Sequence, residues 1–201
     1  MRASPDSVIQ NHETTTIPLV QSVADPAPLG LAAFGLTTFV LSAVNAGWIP
    51  KPGEPVVLGL AFAYGGVAQL CAGMWEFKRN NTFGATAFTS YGAFWIAFAL
   101  LVTFHAAKIP ADAVPAAVGT FLLAWGIFTA YMTIAASSLS RTVFVVFILL
   151  TITFFVLAFS ELAGQPGLGT LGGYLGLVTA VGAWYASATT LIAETRKRLK
   201  S

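Results

Sequence analysis

Apolar residues run along this chain in long blocks that no charge interrupts. Six stretches contain no Asp, Glu, Lys or Arg: 29–50, 55–75, 80–107, 113–140, 142–160 and 162–193. Each is long enough to hold the ~20 residues that a helix needs to cross a hydrocarbon core. Spanning β-strands would instead alternate over ~10-residue segments, and these blocks are longer and apolar on every face. The pattern predicts an all-α polytopic membrane protein with six transmembrane helices in a compact bundle. Short polar links join neighbours, so successive helices run antiparallel. The expected division is a polar N-terminal tail over 1–24, a membrane domain over 25–195 and a basic C-terminal tail over 196–201.

Composition sharpens this picture by exclusion. Charged residues make up 9 % of the chain and apolar ones 56 %, whereas soluble domains carry about 25 % charge. The ends and links leave no room for a soluble enzyme domain. A net charge of +2 gives no footing for nucleic acid, and the lone Cys71 rules out a disulfide within the chain. Residues 1–24 lack the apolar core of a secretory leader. With the N-terminus inside, Arg2, Lys78, Arg79, Arg141, Arg196, Lys197, Arg198 and Lys200 fall on one side and only Lys51 and Lys108 on the other. The positive-inside rule therefore puts both termini in the cytoplasm. Trp48 and Trp75, near helix ends, suit the interfaces.

Ionisable residues within the bilayer are costly and usually functional, and the blocks hold almost none. Glu76 and Glu161 stand at block boundaries and His105 near a helix end, where contact with water or a neighbour is expected. No metal-ligand spacing, nucleotide loop or nucleophile elbow is present, so no catalytic residue, metal or cofactor is expected and enzymatic function has no support. Nor is there an internal repeat with broken helices of the kind that marks many secondary transporters.

Neutral polar residues at helical spacing remain. Phe34, Thr38, Ser42 and Asn45 share one face of the first helix, and Gly65, Gln69 and Gly73 one face of the second. Thr86, Thr89 and Ser90 lie along the third with Tyr91 beside them, and Thr129, Thr133 and Ser137 repeat along the fourth. Two readings fit such stripes. Small residues and hydroxyls can pack helices together, as Gly169, Gly172, Gly173 and Gly176 should. Hydroxyls and an amide can also line a narrow pore for a small polar solute. Three or four helices presenting such a face favour the pore for the set.

The motifs along these helices resemble the acetate uptake transporter (succinate–acetate permease) family. Asp25-Pro26-Ala27-Pro28-Leu29-Gly30-Leu31 is similar to the signature that opens that family's first helix. The likeness continues through Phe34-Gly35-Leu36-Thr37-Thr38, Tyr64-Gly65-Gly66-Val67-Ala68-Gln69 and Glu76-Phe77-Lys78, and is strongest from Asn81-Thr82-Phe83-Gly84 to Thr89-Ser90-Tyr91-Gly92. The resemblance implies a plasma-membrane protein that moves acetate and, in some members, succinate or related small carboxylates. It also implies a homohexamer with a separate pore in each subunit. By resemblance, Phe34, Tyr91 and Leu150 form a hydrophobic constriction, Leu150 being reached by counting along the fifth helix from Arg141. Thr38, Asn45, Gln69 and Thr86 would offer hydrogen bonds beside it.

Position 25 departs from the family pattern, carrying Asp where the signature has Asn. The two are nearly equivalent as N-caps, but an unpaired carboxylate at a pore mouth would repel an anion. Two mechanisms stay open: movement of the carboxylate together with a proton, and passive passage of the anion. An ammonium or neutral-solute channel is an alternative in the same class. A non-transporting membrane assembly or sensing protein, with its stripes as packing glue, is the alternative in another.

Overall fold

Proline opens four of the helices, where its missing N–H has no intrahelical partner to lose. Pro28, Pro55, Pro115 and Pro166 lie in the first turns of α1 (Ala27–Asn45), α2 (Pro55–Phe62), α5 (Val114–Ala136) and α7 (Pro166–Arg198). Polar caps start two others. The Asn81 side chain accepts from the Gly84 N–H at 3.1 Å to open α4 (Thr82–Leu100), and Ser140 accepts from Val143 to open α6 (Arg141–Leu162). α3 (Gln69–Lys78) continues directly from the segment before it. The computed structural model describes residues 23–199.

Among the described residues, six helical spans are long and apolar enough to cross a membrane, as the block pattern predicts. The expected polar tail over 1–24 falls almost wholly outside the described residues. At the other end, α7 carries the chain through to Arg198, so the basic cluster begins on the helix itself. Asp25 caps from one position earlier than a standard N-cap: its Oδ1 accepts from the Ala27 N–H at 2.9 Å, and Pro26 is the residue preceding the helix.

Two spans are not uniform helices. Between α2 and α3 the chain widens into a π-helical segment over Ala63–Ala68, and a second follows α4 over Leu101–His105. Such widened turns are rare and concentrate at functional sites. The first holds Gly65 against the Thr37 side chain of α1 and Gly66 against the Ile96 side chain of α4. A Cβ on Gly65 would lie 2.6 Å from Thr37 Oγ1, and one on Gly92 of α4 would lie 2.7 Å from the Leu70 nitrogen. Glycine thus lets the second and third spans touch backbone to backbone.

The spans close into a ring. α1 packs on α7, α7 on α6, α6 on α5, and α3 on α4, while the second span also rests on α1. The α7 glycines pack within the chain: a Cβ on Gly173 would meet the Ala46 backbone, one on Gly176 the Ser42 hydroxyl, and one on Gly172 Leu157 of α6. The seam between α4 and α5 is different. Phe94 stacks on Phe121 with centroids 5.7 Å apart and meets Trp125 edge-on at 5.1 Å. Large rings fill the space where two backbones stay apart.

Candidate functional site

The ring encloses two cavities. The smaller, about 150 Å³, lies toward the end where α1 begins and α3 stops. The larger, about 910 Å³, opens at the opposite end, with Lys51, Glu54 and Glu161 among the residues of its wall. Three residues belong to both walls: Phe34, Tyr91 and Leu150. They come from α1, α4 and α6, and all three are buried.

Packing holds these side chains in place. The Tyr91 hydroxyl is 2.9 Å from Thr129 Oγ1, which donates to the Trp125 carbonyl at 2.7 Å. Because Thr129 spends its proton on that carbonyl, the Tyr91 hydroxyl is the donor between the two. Rings of Phe34, Phe128 and Phe147 lie 5.8, 5.5 and 6.1 Å from that of Tyr91. A ring so surrounded has no room to swing aside without moving its neighbours.

The other candidates divide between the cavities. Thr38 and Asn45 line the large one and Gln69 the small one. Thr86 lines neither. At 3.6 residues per turn, it sits about 140° around α4 from Tyr91; Gly84, Ala87, Phe88 and Tyr91 carry the cavity face instead. Among the signature residues, Ala27 and Leu31 line the small cavity, and Pro28 and Gly30 pack within the bundle. A Cβ on Gly30 would fall 2.6 Å from the Phe88 ring, the Pro28 carbonyl accepts from Ser187 of α7 at 2.6 Å, and Leu29 faces outward. Asp25 forms an ion pair with Arg79, so its charge at the bundle end is compensated.

Of the two contacts expected for Glu76, water or a neighbour, it makes the second: it has no exposed surface and lies in the wall of the small cavity. Its Oε2 accepts from Asn81 Nδ2 at 2.9 Å, while Oε1 has no partner among the described residues. Asn81 and Gly84, which follow the α3–α4 turn, fold back over the carboxyl and hide it. Its face on the helix, though not its burial, was legible in the sequence. Glu76 lies seven residues, two helical turns, from Gln69, on the same face. Trp95, in the wall of the large cavity and with its buried indole nitrogen also unpartnered, is a second residue that sequence reasoning missed.

Unpartnered buried polar atoms are scarce in folded proteins, and here they gather around the cavities. Both amide atoms of Gln69, the Thr38 hydroxyl, Glu76 Oε1 and Trp95 Nε1 are all in cavity walls; Thr89 Oγ1 is the exception. Polar side chains therefore stand in the walls on both sides of the three shared residues.

The profile of the GPR1/FUN34/yaaH family matches residues 10–199. The chain belongs to this family. It is 37 % identical to the succinate-acetate/proton symporter SatP of Escherichia coli, over 86 % of this chain and 90 % of that protein. It is 40 % identical to the ammonia transport outward protein 2 of Saccharomyces cerevisiae, over 83 % of this chain but only 61 % of that longer protein. Among solved structures, the bacterial acetate channel SatP superposes with a TM-score of 0.81 at 34 % identity, over 87 % of this chain and 95 % of the channel. The shared architecture is that of a multi-pass membrane protein.

Proposed function

We propose that this protein is a plasma-membrane pathway for acetate and related small carboxylates, with one route through each subunit. In this reading Phe34, Tyr91 and Leu150 are the constriction between the two cavities. One observation carries it: the three residues that resemblance marks as a constriction are also the residues common to both cavity walls. An apolar narrowing of this kind can close a pore by excluding water. Thr38 and Asn45 on one side and Gln69 on the other supply hydrogen bonds to a carboxylate, while the surrounding apolar wall suits a methyl group.

The excess of basic residues at the α3–α4 and α5–α6 turns supports placing the small cavity on the cytoplasmic side and both termini inside. Assembly as a homohexamer follows the family resemblance. The named relatives, one a channel and one a proton symporter, support carboxylate movement and leave two energetic modes. Ammonium is the second reading, favoured by the yeast relative's name and by the acidic Glu76 beside the pathway.

Labelled acetate influx into proteoliposomes tests the proposal. The expected result is saturable, protein-dependent influx above that of protein-free liposomes, which themselves leak acetic acid. Accumulation that needs an alkaline lumen and exceeds the protein-free control means proton-linked movement. Flux that follows the acetate gradient and the membrane potential means a channel. Influx of ammonium with none of acetate would overturn the carboxylate reading.

A further inference from the structure

The small cavity holds one carboxyl group, and its position is built rather than incidental. Asn81 bridges it to the start of α4, accepting from the Gly84 N–H through Oδ1 and donating to Glu76 Oε2 through Nδ2. Gly84 makes the room. A Cβ there would lie 2.8 Å from Glu76 Cδ and 2.9 Å from Oε1. The other oxygen, Oε1, has no partner among the described residues, and the residue lines the cavity. The nearest charged groups, Asp25 and Arg79, are committed to each other. From α6 and the turn before it the cavity meets only apolar side chains, such as Leu139, Val143 and Phe147, and from α4 the single titratable group is Tyr91, whose hydroxyl is taken by Thr129.

A second carboxylate entering this space meets a like group with no cation facing it. Two carboxylates at close range do not both stay ionised; one proton between them turns repulsion into a strong hydrogen bond. A cavity of about 150 Å³ has room for a solute of a few heavy atoms. We propose that Glu76 is a proton-sharing station for the permeant, pairing through Oε1 with one oxygen of a small monocarboxylate across a single proton. The proposal rests on the carboxylate reading above. The proton enters with the substrate as its acid, or from bulk water, and leaves by the same two routes. No other bond is made or broken. Gln69, about 10 Å along the same helix face, then receives the permeant with its free amide next to the constriction.

Glu76→Gln tests this, because glutamine keeps an oxygen for Asn81 and can donate to an anion without borrowing a proton. Acetate influx is measured for wild type and E76Q in proteoliposomes at equal internal and external pH, from about pH 5 to about pH 8. Substrate speciation is the same for both proteins, so the ratio of wild-type to variant flux isolates Glu76. The ratio should fall about tenfold from the acid to the alkaline end. A ratio that stays flat while wild type conducts acetate overturns the station alone. No wild-type flux above protein-free liposomes overturns the carboxylate reading, and the station with it. If E76Q does not yield monodisperse protein, infrared difference spectra of wild type decide. Acetate should shift a protonated-carboxyl band that isotope-labelled acetate leaves in place, and no such band would overturn the proposal.

Discussion

The same residue types stand at the same helical spacing in two parts of this molecule, and they do different work. On the seam between α5 and α6, Thr133 donates toward the Thr129 and Phe147 carbonyls and lies 2.8 Å from Thr151 Oγ1, while Thr151 itself bonds the Phe147 carbonyl. Every hydroxyl there has a partner. Along the cavities, Thr38 Oγ1 and both amide atoms of Gln69 have none among the described residues. Spacing alone cannot separate these cases, because both stripes repeat at three or four residues. What separates them is whether the facing helix is close enough to answer the polar group. Where it is, the group holds helices together; where a cavity intervenes, the group has no partner among the described residues.

Substitutions that remove polarity without changing shape should therefore have opposite consequences in the two regions. The largest effect is expected from Gln69→Leu. Acetate flux should fall by about tenfold or more, equivalent to about 1.4 kcal/mol at the barrier. Thermal stability in detergent should not fall, since burying an unsatisfied amide is itself costly. Loss of folding with Gln69→Leu would instead make Gln69 a packing residue. A smaller effect is expected from Thr133→Val. It should lower stability by about 1 kcal/mol, the usual net worth of a buried hydrogen bond, and leave flux per folded protein unchanged. A flux loss without a stability loss in that variant would erase the distinction between the regions.

The helical framework was legible because lipid leaves little choice: a span must be helical, long and apolar. The first helix start was legible to within one residue, since Asp25 and Pro28 act locally. The widened turns were not; the first of them sets Gly65 against Thr37 across a helix interface, a contact that no local pattern encodes. Thr38, Asn45 and Gln69 were found from their stripes, whereas Thr86 was grouped with Tyr91 although the two point well apart around α4. Glu76 was missed because a charge at the end of an apolar block ordinarily reaches water. Here the following turn brings Asn81 and Gly84 back over it, and burial was decided by residues beyond the helix that carries it. Phe34, Tyr91 and Leu150 were selected by resemblance; a sequence pattern gives no reason to join one aromatic from each of two helices to a leucine on a third.

The most direct test of the account is acetate flux through two variants of Leu150, the α6 member of the dividing wall. Leu150→Trp adds bulk where the two cavities meet and should reduce acetate influx by about tenfold or more, in protein that remains monodisperse. Leu150→Ala removes it and should raise influx of acetate and admit longer monocarboxylates that the wild type excludes. Both variants conducting acetate at the wild-type rate, with unchanged selectivity, would contradict the account and put the narrow point of the pathway elsewhere.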